Sequence, residues 1–135
     1  GIADKVLDVL RTAQSSIHVM AFAFTRTDFA DAMLERAQAG VTVQAVFERR
    51  QVSAGGDAVY NLFSASDIPA RLDGNRYNLH TKAIIVDGSI VAFGSYNFSR
   101  NAEGQNNENI LIIHSPELAA AFEAEFQRVW ALAQP

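Results

Sequence analysis

At 135 residues, with a formal charge of −4 and 49 % hydrophobic residues, the chain has the length and composition of one globular domain. The absence of cysteine excludes disulfides and thiol catalysis without fixing a compartment. No apolar run approaches the roughly 20 residues of a membrane-spanning helix, and the first residues lack signal-peptide architecture, so the localisation stays unassigned. The acidic excess weakens a simple polyanion-binding argument, but it is unevenly spread. Residues 40–107 balance their charges, whereas residues 108–135 carry only Arg128 against Glu108, Glu117, Glu123 and Glu125.

In chain order, Val6, Leu7, Val9 and Leu10 share one helical face from Ala3 to Gln14, with Asp4, Lys5, Asp8 and Arg11 outside it. Ile17 to Phe24 reads as a strand apolar on both faces, hence central. Thr27 is placed to cap a helix over residues 28–39 that Gly40 ends, and Val41 to Glu48 is the next strand. That strand–helix–strand unit predicts a parallel pair with a right-handed crossover. Residues 49–56 have no period and read as a loop. Asp57 is placed to cap a helix to about Ser66, and the Pro69-containing segment 68–72 reads as an edge or a strand start. Asp73-Gly74-Asn75 reads as a turn. Asn107 to His114 is a strand, and Ser115-Pro116-Glu117 opens a closing helix with Phe122, Phe126, Val129 and Trp130 as its buried stripe. The fold class expected is α/β, a mixed β-sheet sandwiched between helices.

Between the two halves lies the stretch that carries the chemistry. Ala83, Ile85, Val91 and Phe93 are apolar, whereas His80, Lys82, Ser95 and Asn97 recur at every second position, one pair on one face of each strand. Asp87-Gly88 is a two-residue hairpin signal, so the strands are expected to be adjacent and antiparallel. An imidazole, an ammonium, a hydroxyl and a carboxamide then meet at the hairpin's open end. Lys82 supplies charge, Ser95 and Asn97 supply neutral donors, and His80 is a nucleophile or proton carrier. Taken singly, each residue has a plainer reading. A histidine in an apolar strand is more often structural, Lys82 alone would be a solvated strand residue, and a serine after glycine often bonds only backbone.

The spacing H-x-K, four residues, D, six residues, G-S-x-N resembles the signature of the phospholipase D superfamily, and His80, Lys82, Asp87, Gly94, Ser95 and Asn97 fill all six of its positions. The segment Asn106-Asn107-Glu108-Asn109-Ile110 is similar to the family's trailing segment, where an acidic residue supports the histidine. Met20 to Thr25, the Asp67-Ile68-Pro69 entry and the closing helix with Trp130 resemble the small bacterial endonucleases of the superfamily. The likeness covers nearly the whole chain and implies the phospholipase D-like fold for residues 1–135 as a single catalytic domain. The family's domain usually begins with a strand before its first helix, whereas this sequence starts at Gly1-Ile2-Ala3. The expectation is a piece cut from a longer protein, or else a sheet one strand short.

The resemblance implies a metal-independent phosphodiesterase that needs no cofactor. His80 would attack phosphorus and form a phosphohistidine, with Glu108 fixing its tautomer and Lys82, Asn97 and Ser95 stabilising the phosphoryl oxygens. Asp87 is expected to be structural. A single motif leaves no general acid for the leaving group, since neither His18 nor His114 has a lysine and asparagine around it. One-motif members of the family form two-fold homodimers, which implies a second His80 from a partner copy. No histidine pair has metal-ligand spacing, so no metal is expected. Nucleic acid is the first substrate expectation, with Arg49 and Arg50 at a strand end, and Arg26 and Arg100, as backbone contacts or else an ordinary solvated loop. Phospholipid is the alternative, with Tyr77 and Leu79 at an apolar mouth. A non-catalytic phosphate-binding module ranks third, because none of His80, Lys82 and Asn97 is lost.

Overall fold

In the computed structural model the described residues are 2–21, 27–49, 58–73, 82–94 and 110–134. Their elements follow the periodicity of the sequence closely. Helix α1 (Ile2–Arg11) buries Ala3, Val6, Leu7 and Leu10, the i, i+3, i+4, i+7 spacing of a single helical face, and its Asp4 and Arg11 complement the helix dipole. Strand β1 (Ser16–Ala21) is followed by α2 (Thr27–Gln38), which buries Phe29, Ala30, Ala32 and Met33. The helix includes Thr27 rather than being capped by it. It ends where Val41 N–H donates to the Arg36 carbonyl at 3.0 Å, a closure that sets Gly40 at φ +101, open to glycine and strained for most other residues.

Strand β2 (Thr42–Glu48) runs parallel to β1, as the strand–helix–strand pattern predicts. Helix α3 (Ala58–Ala65) leads to β3 (Ala70–Asp73), parallel to β2 and at the edge of the sheet, where its preceding Pro69 is tolerated. Strands β4 (Lys82–Val86) and β5 (Ile90–Gly94) form the expected antiparallel hairpin, and β6 (Ile110–His114) adds to β5. The sheet order is β3-β2-β1-β4-β5-β6, so β1 is central, with β4 antiparallel to it.

Two core layers separate the helices. Helices α1, α2 and α3 cover one face of the sheet, burying Leu10, Phe29, Met33 and Phe63 against Ile17, Val19, Phe47 and Ile84. Helix α4 (Pro116–Leu132) covers the other face, with Ala119, Phe126 and Val129 packed on Met20, Val46, Ala83, Ile85 and Val91. Its start is the one the sequence announces. Ser115 has β-region backbone (φ −154, ψ 110), its hydroxyl accepts from Leu118 N–H at 3.1 Å, and Pro116 takes the first turn. Phe122 and Trp130 flank this stripe half-buried instead of lying in its centre. The Arg71 guanidinium stacks 4.1 Å over the Trp130 ring and donates to the Trp130 carbonyl at 2.8 Å, tying α4 to β3.

Two expectations need correction. The β4–β5 connection has three residues, 87–89, between the paired Val86 and Ile90. Ser89 N–H closes the turn on the Val86 carbonyl at 3.0 Å, with Asp87 and Gly88 at φ +56 and +63. Asp73 is not a turn residue: it ends β3, paired with Glu48 and only 3 % exposed.

Candidate active site

Strand register aligns the strand ends that adjoin the candidate positions. Leu72 pairs with Phe47, Phe47 with Ala21, Lys82 with Gly94, and Gly94 with Ile110. Because Met20 pairs with Ala83, one further step sets Ala21 beside Lys82 and completes a single row across all six strands. Beyond that row lie the C-terminal ends of β1, β2, β3 and β5 and the N-terminal ends of β4 and β6. Open α/β sheets bind ligands beyond the C-terminal ends of their parallel strands. Lys82 is half-buried at the first position of β4 and faces away from Ala83, which lies under α4. Opposite it Gly94 stands at φ +151, a value that glycine alone enters readily.

In sequence, His80 precedes Lys82 by two residues, Ser95 and Asn97 follow Gly94 within three, and Glu108 precedes Ile110 by two. His80, Ser95, Asn97, Glu108, Arg50 and Tyr77 lie outside the described residues. Arg49 is described, exposed at the end of β2. Of the candidate residues, the structure therefore places Lys82 and Arg49 at the same edge of the sheet.

The opposite edge shows what Asp87 does. Its carboxylate accepts from the backbone N–H groups of Gln14, Ser15 and Ser16 at 2.7–3.1 Å and from the Ser15 hydroxyl at 3.0 Å. Burial pulls this carboxyl upward, but the donated hydrogen bonds outweigh it and hold the group below its ordinary value. Asp87 thus locks the α1–β1 connection to the β4–β5 turn, far from Lys82. Asp87→Ala is expected to cost about 2–3 kcal/mol in a urea melt while leaving turnover per folded molecule unchanged. A folded-state value held low contributes stability that is complete above the unfolded carboxyl value of about 4 and disappears as pH falls through the folded one. The stability gap between the two proteins should therefore be constant at neutral pH and close in acid.

Two features escaped sequence reasoning. Glu48 and Asp73 are buried side by side at the edge that carries Lys82, where Glu48 is the one charged residue of β2; that lone charge was the available signal. His18 on β1 contacts the Glu123 carboxylate through Nδ1 and stacks on Phe126 at 4.5 Å with a 4° interplanar angle. This makes it a packed residue of the α4 face. Among the described residues no group of three or more His, Asp or Glu side chains is arranged to hold a metal ion.

A protein-family model described as cardiolipin synthase, PLD-like domain, matches residues 6–130. The mitochondrial cardiolipin hydrolases of Chlamydomonas reinhardtii and Xenopus tropicalis are 31 % and 32 % identical over 126 residues, 93 % of this chain. The chain spans 56 % and 60 % of those proteins, little more than half their length. Among solved structures, Nuc of Salmonella typhimurium, a phospholipase D family member, superposes with a TM-score of 0.91 at 35 % identity, covering 98 % of this chain and 88 % of Nuc. NucT from Helicobacter pylori shares the fold, with a TM-score of 0.82 at 20 % identity.

Proposed function

This chain belongs to the phospholipase D superfamily, and on that premise we propose that it is a phosphodiesterase working through a phosphohistidine on His80, with nucleic acid as its substrate. The observation that carries the reading is the pairing of Lys82 with Gly94 and of Gly94 with Ile110. It draws to one edge the strand ends that His80, Ser95, Asn97 and Glu108 adjoin in the sequence.

The chemistry follows from the residue types. The unprotonated ring nitrogen of His80 attacks phosphorus, a P–N bond forms, and the P–O bond to the leaving group breaks. Glu108 accepts from the other ring nitrogen and holds the tautomer. Lys82, Asn97 and Ser95 meet the charge that builds on the non-bridging oxygens, the electrostatic work a metal ion does elsewhere. The leaving oxygen takes a proton from a second imidazole, the His80 of a partner copy across a two-fold axis. Water then attacks the phosphohistidine, gives its proton to that second imidazole, and frees the first.

Nucleic acid is favoured by the length of the match to Nuc, 88 % of that chain, together with the resemblance to the small bacterial endonucleases. Arg49, exposed where β2 ends, and Arg50 after it are the backbone contacts in this reading. Phospholipid is the second reading, favoured by the hydrolases named for cardiolipin, with Tyr77 and Leu79 at the lipid-facing mouth.

Product release from single-stranded DNA, duplex DNA and phospholipid vesicles, each in excess EDTA, separates the two. DNA cleavage alone is the expected outcome. Headgroup release alone would transfer the assignment to the lipid reading, and turnover that requires added divalent metal would overturn the mechanism. Sedimentation at micromolar concentration should give a dimer; a strict monomer with full activity would contradict the shared site.

A further inference from the structure

The row that carries Lys82 also carries aromatic surface on the same side of the sheet. Phe47 belongs to the core beneath α1, α2 and α3, and Lys82 lies two residues before Ile84 of that core, so both side chains share one face. The two positions are two strands apart in the row, roughly 10 Å at the usual strand spacing. Phe47 is 3 % exposed and Phe63 is fully buried, their ring centroids 6.1 Å apart. Tyr60 stands edge-on to Phe47 at 6.0 Å, with an interplanar angle of 85°. Of these three rings it alone is half-buried, with part of its side chain in water.

Chain direction sets Tyr60 at the Lys82 end of its helix. Strand β2 ends at that edge, and β3, parallel to it, begins at the far side. Helix α3 joins them, so it runs back across the sheet with its first turn, which holds Tyr60, towards the edge. Its other end is fixed where Ile68 N–H donates to the Phe63 carbonyl at 2.9 Å. The buried Phe47 and Phe63 beneath hold the tyrosine in place, while its apolar body and polar tip suit a position between core and solvent. Net charge favours such a contact. At −4 the chain offers little general attraction for a polyanion, whereas a base stacked on an aromatic ring gains affinity that does not depend on charge.

We propose that Tyr60 is a specificity-determining residue of this edge: a nucleobase neighbouring the scissile phosphodiester stacks on its ring, which favours single-stranded nucleic acid, whose bases are free to leave their own stack. The inference rests on the nucleic-acid reading of the site. Lys82 meets the reacting phosphate, and Tyr60 meets a base further along the strand. Its loss therefore weakens binding and leaves the chemical step alone, a change in KM at constant kcat.

The test compares the unsubstituted protein with Tyr60→Phe and Tyr60→Leu, each with a thermal melt. Tyr60→Phe keeps the ring, and Tyr60→Leu keeps apolar packing on Phe47 without an aromatic face. The substrates are a single-stranded DNA oligonucleotide, the same oligonucleotide with one abasic position moved along it, and methyl p-nitrophenyl phosphate, a diester without a base. Tyr60→Leu is expected to raise KM for the intact oligonucleotide by about 5- to 150-fold, the span of one stacked base. Tyr60→Phe should bind as the unsubstituted protein does, and hydrolysis of the small diester should be the same in all three. One abasic position near the cut should raise KM for the unsubstituted protein and leave Tyr60→Leu unaffected. An unchanged KM in folded Tyr60→Leu, or an equal loss on the small diester, overturns the inference and leaves the nucleic-acid reading standing. If Tyr60→Leu does not fold, an unsubstituted protein indifferent to every abasic position overturns it as well. Failure of the unsubstituted protein to cleave the oligonucleotide overturns both.

Discussion

His80→Ala should lower phosphodiester hydrolysis by about ten-thousand-fold or more, on either DNA or lipid, because in the proposed mechanism it removes the group that forms the covalent intermediate. A smaller loss would mean that a water molecule, activated elsewhere, reaches phosphorus directly. Stability should hardly change: every residue of the two cores remains, from Leu10 and Phe29 on one face to Met20 and Phe126 on the other. The variant is best measured as single-turnover cleavage beside a thermal melt, so that a lost active site is told apart from a lost fold. Lys82 offers the graded comparison. In the proposed mechanism Lys82, half-buried at the start of β4, stabilises charge without taking part in bonding, so Lys82→Ala is expected to lie between His80→Ala and the unsubstituted protein, down about a hundred- to thousand-fold.

Phe126→Ala is expected to produce the largest loss of stability. Among the described residues one helix, α4, covers the Met20–Ile85–Val91 face of the sheet, and Phe126 is its fully buried centre. The ring lies parallel to His18 at 4.5 Å and 5.7 Å from Trp130, so truncation opens a cavity and strips His18 of its stacking partner at once. Replacing a buried phenylalanine by alanine costs about 3–5 kcal/mol, a large part of the 5–15 kcal/mol that typically holds a domain folded. For a chain of this length the melting temperature should fall by roughly 10–20 °C. A urea melt showing a loss below about 1 kcal/mol would mean that α4 is dispensable for holding that face. Phe122, half-buried beside Phe93 at 4.8 Å, should be the milder substitution.

The contrast between these residues shows which parts of the molecule were legible in the sequence. The helix faces were, because periodicity reports burial directly: Val6, Leu7 and Leu10 lie in the core, while Asp4, Lys5 and Asp8 stay outside. So was the start of α4, where serine and proline have one common reading, and so was the structural role of Asp87. Asp73 was not. Aspartate followed by glycine and asparagine is turn chemistry locally, yet pairing with Glu48 extends β3 through that position and buries the side chain. The β4–β5 loop misled in the same way. Asp-Gly suggested a two-residue hairpin, but the Asp87 carboxylate reaches back to residues 14–16, and the turn takes in Ser89 as well.

The candidate site divides along the same line. The motif spacing named the residues, and the register of β4, β5 and β6 supplied what spacing does not contain, a common edge for their strand ends. The partner of His18 could not be read from the sequence, since Glu123 is 105 residues away and the contact exists only once α4 lies across β1.

The central claim, that a histidine of this chain bonds to phosphorus during turnover, is tested most directly by the stereochemical course at phosphorus. A chiral phosphorothioate diester of the preferred substrate, cleaved in isotopically labelled water with excess EDTA, reports the number of in-line displacements. Each displacement inverts the centre, so attack by His80 followed by attack of water predicts net retention. Net inversion would mean that water displaces the leaving group in one step, and would contradict the phosphohistidine mechanism proposed for this edge of the sheet.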